Sequence, residues 1–170
     1  MSASLNNARA PSVPKAPAED TPRFRPMAEG DLDAVMAIEN VVYTHPWTRG
    51  NFVDSLTAQS HCHVLEWHGV IVGYAVLTTG ADEAHLLNIS VAAAWQRRGL
   101  GRELLDHVIV LARTLKVQKI FLEVRTSNSA ARALYAQSRF REIGVRRGYY
   151  PAPTAREDAI VLECVLGYAA

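Results

Sequence analysis

Cysteine is scarce in this sequence: Cys62 and Cys164 are the only two, far apart and outside any C-x-x-C spacing. That scarcity argues against a disulfide framework and a zinc site of the usual ligand spacing, and it fits a reducing compartment. No apolar run reaches the roughly 20 residues that a membrane-spanning helix needs. The first residues lack the charged start, apolar centre and small-residue cleavage site of a secretory signal. A cytoplasmic protein without a membrane partner is therefore expected. Charge of one sign is missing too, since 18 basic and 17 acidic residues leave a formal net charge of +1. Direct nucleic-acid binding is not expected from that balance, and any anion site must be local. No internal repeat is visible. What remains is 170 residues with 49% hydrophobic content, enough for one domain with a real core and too short to suggest two.

Residues 1–22 carry Pro11, Pro14, Pro17 and Pro22 among Ala, Ser and Asn, with few large apolar side chains to bury, and read as a disordered tail. From residue 23 to 170 the character is that of a folded domain. Phe24 opens a short strand, and Asp31 is placed to cap a helix running to about Tyr43, in which Leu32, Val35, Met36 and Glu39 recur at spacings of three and four. Pro46 and Trp47 break that pattern, and Thr48 is placed to cap a second helix carrying Phe52, Val53 and Leu56. Strand-like runs follow over 61–67, 70–79 and 84–91, the first two joined by a His68-Gly69 turn. Leu100, Leu104, Val108, Leu111 and Leu115 form one stripe of a helix over 99–115. A buried-looking strand over 119–124, a helix capped by Ser127 or Asn128 and ending near Ser138, and strands over 141–147 and 158–166 complete the order β-α-α-β-β-β-α-β-α-β-β. The expected class is α/β, a mixed central sheet with helices on both faces.

The sharpest local signal is Gln96-Arg97-Arg98-Gly99-Leu100-Gly101, between a strand and an amphipathic helix. Amides at a helix start lack intrahelical partners and the helix dipole adds partial positive charge, so such a turn suits a pyrophosphate. The glycines permit close backbone approach, and Arg97, Arg98 and Arg102 add local charge. A Walker A loop and a Rossmann fingerprint both fail, the latter because Leu104 stands where a third glycine is needed. Read alone, the segment is equally an ordinary glycine-containing turn with solvated arginines.

Gln96 to Gly101 resembles the Q/R-x-x-G-x-G/A acetyl-coenzyme A motif of the GCN5-related acetyltransferase (GNAT) superfamily, whose element order the chain shares. Asn88-Ile89-Ser90-Val91, Leu122-Glu123-Val124-Arg125 with Ser127-Asn128, Ala133-Leu134-Tyr135, Arg146-Arg147 with Tyr149-Tyr150-Pro151, and Glu157-Asp158-Ala159-Ile160 resemble the RimI family within it. Gly148 and Arg139 depart from that family's pattern, which has asparagine and glycine there. The resemblance implies acetyl-coenzyme A as cosubstrate, no metal, and as acceptor the N-terminal alanine of a small-subunit ribosomal protein. Other amine acceptors, or a non-catalytic acyl-coenzyme A module, are the alternatives.

The amine must lose a proton before it attacks, since an α-amino pKa lies near 7.7 to 8.0. The resemblance implies Glu123 as the base. Alternation puts it on the face of Phe121 and Arg125, where burial would raise its pKa and Arg125 would oppose that rise; the same spacing also describes a Glu-Arg pair facing solvent. Tyr135 is implied as the acid for the departing thiolate. It lies seven residues from Asn128, nearly on one helical line, and Asn128 is suited to the pantetheine arm; an aromatic beside Leu134 is equally a core residue. Backbone amides of Ile89, Ser90 and Val91 are implied as contacts to the acetyl group through a splaying of strands. Pro46, Trp47, Tyr149, Tyr150 and Pro151 are candidate walls of an acceptor groove. His61, Cys62, His63 and His68 invite a metal reading, but alternation puts Cys62 opposite the two neighbouring histidines and no fourth ligand has a recognised spacing.

Overall fold

β-Branched and aromatic runs, broken by turns and by stripes of helical period, set up eleven elements in the computed structural model, which describes residues 21–167. They are β1 (Arg23–Pro26), α1 (Leu32–Val42), α2 (Arg49–Thr57), β2 (His61–Trp67), β3 (Val70–Gly80), β4 (Glu83–Val91), α3 (Leu100–Thr114), β5 (Lys119–Arg125), α4 (Ser129–Gln137), β6 (Arg141–Tyr150) and β7 (Glu157–Val165). Nearly all of the expected tail lies outside the described residues. Among the described residues no helix is long and apolar enough to cross a membrane.

The strands form one mixed sheet in the order β1-β2-β3-β4-β5-β7-β6. The β2–β3 connection is the two-residue turn expected, with φ of +51° at His68 and +76° at Gly69, the handedness that matches strand twist. Strand alternation sends two sets of side chains to opposite faces. On one face Cys62, Val64, Tyr74 and Val76 meet Leu32, Val35, Ile38 and Phe52 of α1 and α2. On the other, Leu77, Leu86, Ile120 and Leu122 meet Leu100, Leu104 and Val108 of α3 and Tyr135 of α4. Helices thus cover both faces.

Two expectations change in detail. Asp31 does not cap α1 with its side chain; its carboxylate accepts the Ala28 amide at 2.8 Å and a pair of bonds from Arg25, because a single 3-10 turn, Glu29–Asp31, precedes the helix. Strand β6 runs on to Tyr150, with a register shift against β7 between Arg146 and Tyr150. There Gly148 sits at φ +56° and gives its amide to Asp158 at 2.7 Å. Thr48 caps α2 as expected, accepting the Asn51 amide at 3.3 Å.

The feature that makes a site is the junction of β4 and β5. They pair in parallel over three positions, Glu83↔Lys119, Ala84↔Ile120 and His85↔Phe121. Beyond these β4 follows β3 to Val91 and β5 follows β7 to Arg125, so a wedge opens within the sheet.

Candidate active site

A cleft of about 490 Å³ occupies this wedge. Its walls come from α1 and the α1–α2 loop (Glu39, Tyr43, Pro46, Trp47), β4 (Asn88, Ile89), β5 (Glu123), α4 with its cap (Asn128, Tyr135) and the end of β6 (Tyr149, Tyr150). A wider depression of about 770 Å³ lies between α1 and the β2–β3 turn. Its charges are already paired, Arg25 to Asp31 at 2.7 Å and to Glu66 at 3.0 Å, and none of the candidate reacting groups lines it. The candidate reacting groups Glu123 and Tyr135 line the smaller cleft instead.

Glu123 projects from β5 with its side chain 16% exposed, and Arg146 of β6 donates to its Oε1 at 3.0 Å. The cation beside it is therefore Arg146, not the expected Arg125. Arg125 turns instead to Glu157 at 3.1 Å and the Pro151 carbonyl at 3.0 Å, with its guanidinium 4.4 Å from the Tyr150 ring centroid. Glu157 also accepts the Ser127 amide at 2.7 Å and the Thr126 hydroxyl at 3.0 Å. The bonds from Ser127, foremost its side chain, hold the Glu157 carboxyl down at about 2. This fixes the β5–α4 turn. Tyr150 donates to the Glu123 carbonyl at 3.0 Å, and burial first, then Glu123, pushes its phenol up to about 12.

Tyr135 is 6% exposed and sits across the cleft on α4. Burial, with smaller contributions from Tyr43 and Tyr150, raises its pKa above the ordinary phenol value, so it stays protonated and able to donate. Tyr135 belongs to the core, its ring packing on Phe140 at 5.6 Å, and it also lines the cleft. Asn128 caps α4 by accepting the Ala131 amide at 3.1 Å, which occupies its side-chain oxygen. Arg132 folds back to the Thr126 carbonyl at 3.1 Å.

The direction of the β4 amides follows from ladder alternation. Ala92 donates to Val72 at 2.8 Å, and with Gly73 opposite Val91 and Tyr74 opposite Ser90 every second residue of β4 is bonded to β3. Ser90 accordingly points its amide at β3. Ile89 and Val91 point theirs into the wedge. Their carbonyls lie on the same side, where the Tyr43 hydroxyl donates to Ile89 at 2.9 Å and Gln96 Nε2 donates to Val91 at 3.0 Å.

That Gln96 bond ties the loop to β4. Arg97 at φ +63° and Gly99 at φ +85° bend the chain so that α3 starts with free amides at Leu100 and Gly101, since intrahelical bonding begins with Arg102 and Glu103 donating to Gly99. Arg97 and Arg98 are exposed, the latter 5.0 Å from the Trp95 ring, and Arg102 donates to Gln137 of α4 at 2.8 Å. The loop, the free amides and the wedge together fit a slender ligand with a phosphorylated end, although the loop arginines do not line the cleft itself.

Of the histidines, His63 bonds His107 of α3 at 2.9 Å, while Cys62 packs on the opposite face. Among the described residues no group of three or more His, Cys, Asp or Glu is placed to hold a metal ion. Both thiols are buried, and burial pushes Cys62 up to about 11.

Two residues that line the cleft, Glu39 and Tyr43, carry no functional role in the sequence pattern. The signal for Glu39 was there, a carboxylate on the apolar stripe of α1, where an acid belongs only if bonded.

The acetyltransferase (GNAT) family model matches residues 32–140. A protein of Escherichia coli K12 named [ribosomal protein bS18]-alanine N-acetyltransferase is 39% identical over 132 residues, 78% of this chain and 89% of that protein. One of the same name from Haemophilus influenzae is 36% identical over 137 residues, 80% of this chain and 93% of its own length. The crystal structure of the ribosomal-protein-S18-alanine N-acetyltransferase from Escherichia coli superposes with a TM-score of 0.83 at 35% identity, covering 88% of this chain and 97% of that one.

Proposed function

The chain belongs to the acetyltransferase (GNAT) family, and from that premise we propose that it acetylates the N-terminal alanine of a small-subunit ribosomal protein, with acetyl-coenzyme A as donor. The observation that carries the reading is the convergence of Glu123, Tyr135 and the open edge of β4 on one cleft, in a chain 39% identical to a relative named for that acceptor.

Acetyl-coenzyme A supplies the activated acyl group. The amides of Leu100 and Gly101, with Arg97, Arg98 and Arg102 nearby, hold its pyrophosphate at the start of α3. The open amides of Ile89 and Val91 bind the arm and acetyl oxygen, and Asn128 stands beside that arm. Glu123 takes a proton from the incoming amine, directly or through water, and Tyr135 gives one to the departing sulfur. The transfer is direct: the buried thiols have high pKa values, and neither Cys62 nor Cys164 lines the cleft. Tyr149, Tyr150, Pro46 and Trp47 form the walls against which the acceptor's first residues lie.

Mass spectrometry on a panel of N-terminal peptides, lysine peptides and polyamines tests the acceptor. An alanine-starting ribosomal peptide is expected to be labelled fastest, and preferential labelling of polyamines overturns the assignment.

A further inference from the structure

Glu39 is the one Asp, Glu, Lys, Arg or His buried among the described residues, at 1% exposure. Burying a carboxylate without a cation is costly unless its oxygens are fully bonded. Its donors come from three places. The Trp47 amide reaches Oε1 at 2.7 Å, the Tyr74 hydroxyl of β3 donates to Oε2, and the Asn88 amide of β4 lies 3.3 Å from Oε2. Residues 43–48 belong to no helix or strand, and Pro46 has no amide to give. The loop is thus held to the sheet through Glu39, with the Trp47 ring 5.2 Å from Phe52.

The position of this network in the cleft decides its role. The Gln96–Gly101 loop opens α3, on the sheet face opposite α1 and α2. A donor held from the α3 side leaves the α1–α2 side of the cleft to the amine. We propose that Glu39 is a positioning residue for the acceptor: by accepting the Trp47 amide hydrogen it holds the Pro46-Trp47 wall in the shape that binds the acceptor's first residues. The inference rests on the transferase reading above. It separates Glu39 from Glu123, whose carboxylate is partly exposed and bonded by Arg146.

Two variants distinguish positioning from proton transfer. Glu39→Gln keeps an oxygen for the Trp47 amide, and the Tyr74 hydroxyl and Asn88 side-chain amide can turn to match the new NH₂. Glu39→Asp keeps the charge but falls one methylene short of the loop. Steady-state kinetics on the alanine-starting peptide, or on whichever acceptor the panel selects, should show Glu39→Asp raising the acceptor KM by about 5- to 100-fold. The kcat and the acetyl-coenzyme A KM should change little, and Glu39→Gln should stay near wild type. Hydrogen exchange should find the Trp47 amide protected in wild type and Glu39→Gln and fast in Glu39→Asp. If the Asp variant does not fold, protection of that amide in the other two still reads the contact, and fast exchange in wild type overturns the proposal. A kcat loss with an altered pH profile in Glu39→Gln, or an unchanged acceptor KM in folded Glu39→Asp, also overturns it. Failure of wild type on the alanine peptide alone sinks the acceptor assignment and leaves the positioning role to be read on the other substrate.

Discussion

In the proposed mechanism Glu123 and Tyr135 carry protons for different atoms, and that difference is measurable. Glu123→Gln should lower kcat by roughly 10²- to 10⁴-fold at neutral pH. The loss should shrink as pH rises above about 8, the ordinary α-amino value, because the amine then deprotonates unaided. Tyr135→Phe should lose a similar amount without that recovery, since its proton serves the sulfur. Rates from about pH 6.5 to 9.5 check both; near-native turnover in both variants removes the mechanism, and equal, pH-independent losses remove Glu123 as base. At this scale the sequence was informative where a residue's role depends on its own strand or helix. Glu123 falls on the face that alternation assigns it, and Thr48 caps α2. It was uninformative where the partner is distant in the chain: Arg146 for Glu123, Glu157 for Arg125 and Asn88 for Glu39 are separated by 23, 32 and 49 residues, and no local period encodes such meetings.

Element boundaries agreed with the periodicity to within about three residues, because apolar alternation and helical stripes report on burial directly. The exceptions sit where a glycine or a 3-10 turn interrupts the pattern, at Gly148 and before α1. The loop before α3 depends on such a residue. Gly99 at φ +85° has open space around a would-be Cβ, whereas Gly101 would make only an ordinary 3.6 Å contact with Leu134. Gly99→Val should therefore weaken acetyl-coenzyme A binding by about tenfold through backbone strain alone, as read by calorimetry on the folded variant. Gly101→Val affects affinity only if ligand oxygens approach there, and unchanged affinity in both variants removes the pyrophosphate site. The seam between β2 and α3 has its own signature. Burial, followed by His107 and His61, lowers His63 to about 4, and burial also lowers His107. Unfolded histidines titrate near 6.5, so the unfolded chain binds more protons below that pH, and stability falls as pH drops from about 6.5 toward 4. The Glu157 contribution is lost only below about 4.5, toward 2. Thermal midpoints between pH 7.5 and 4.5 should therefore decline, and His63→Phe should flatten the slope.

Across the whole molecule, three parallel residue pairs join the β1–β4 side of the sheet to the β5–β7 side, with the two helical layers packed over the junction. A ligand that binds this wedge in the folded state alone stabilises the fold by about 2.7 kcal/mol at roughly 100 times its dissociation constant. The melting temperature should accordingly climb with acetyl-coenzyme A concentration; a midpoint indifferent to saturating ligand would separate the wedge from cosubstrate binding. The wedge has a further effect, on self-association. Two strand edges that pair with no neighbouring strand there face each other inside one chain, their Ile89, Val91 and Glu123 carbonyls met only by side chains, and strand edges left open ordinarily recruit strands from other molecules. Here they diverge, so an intruding strand could keep the 4.7 to 4.9 Å ladder spacing to one edge but not to both. The fold leaves the Ile89 and Val91 amides open in the cleft while denying an incoming strand a pair of edges to continue the sheet on both sides.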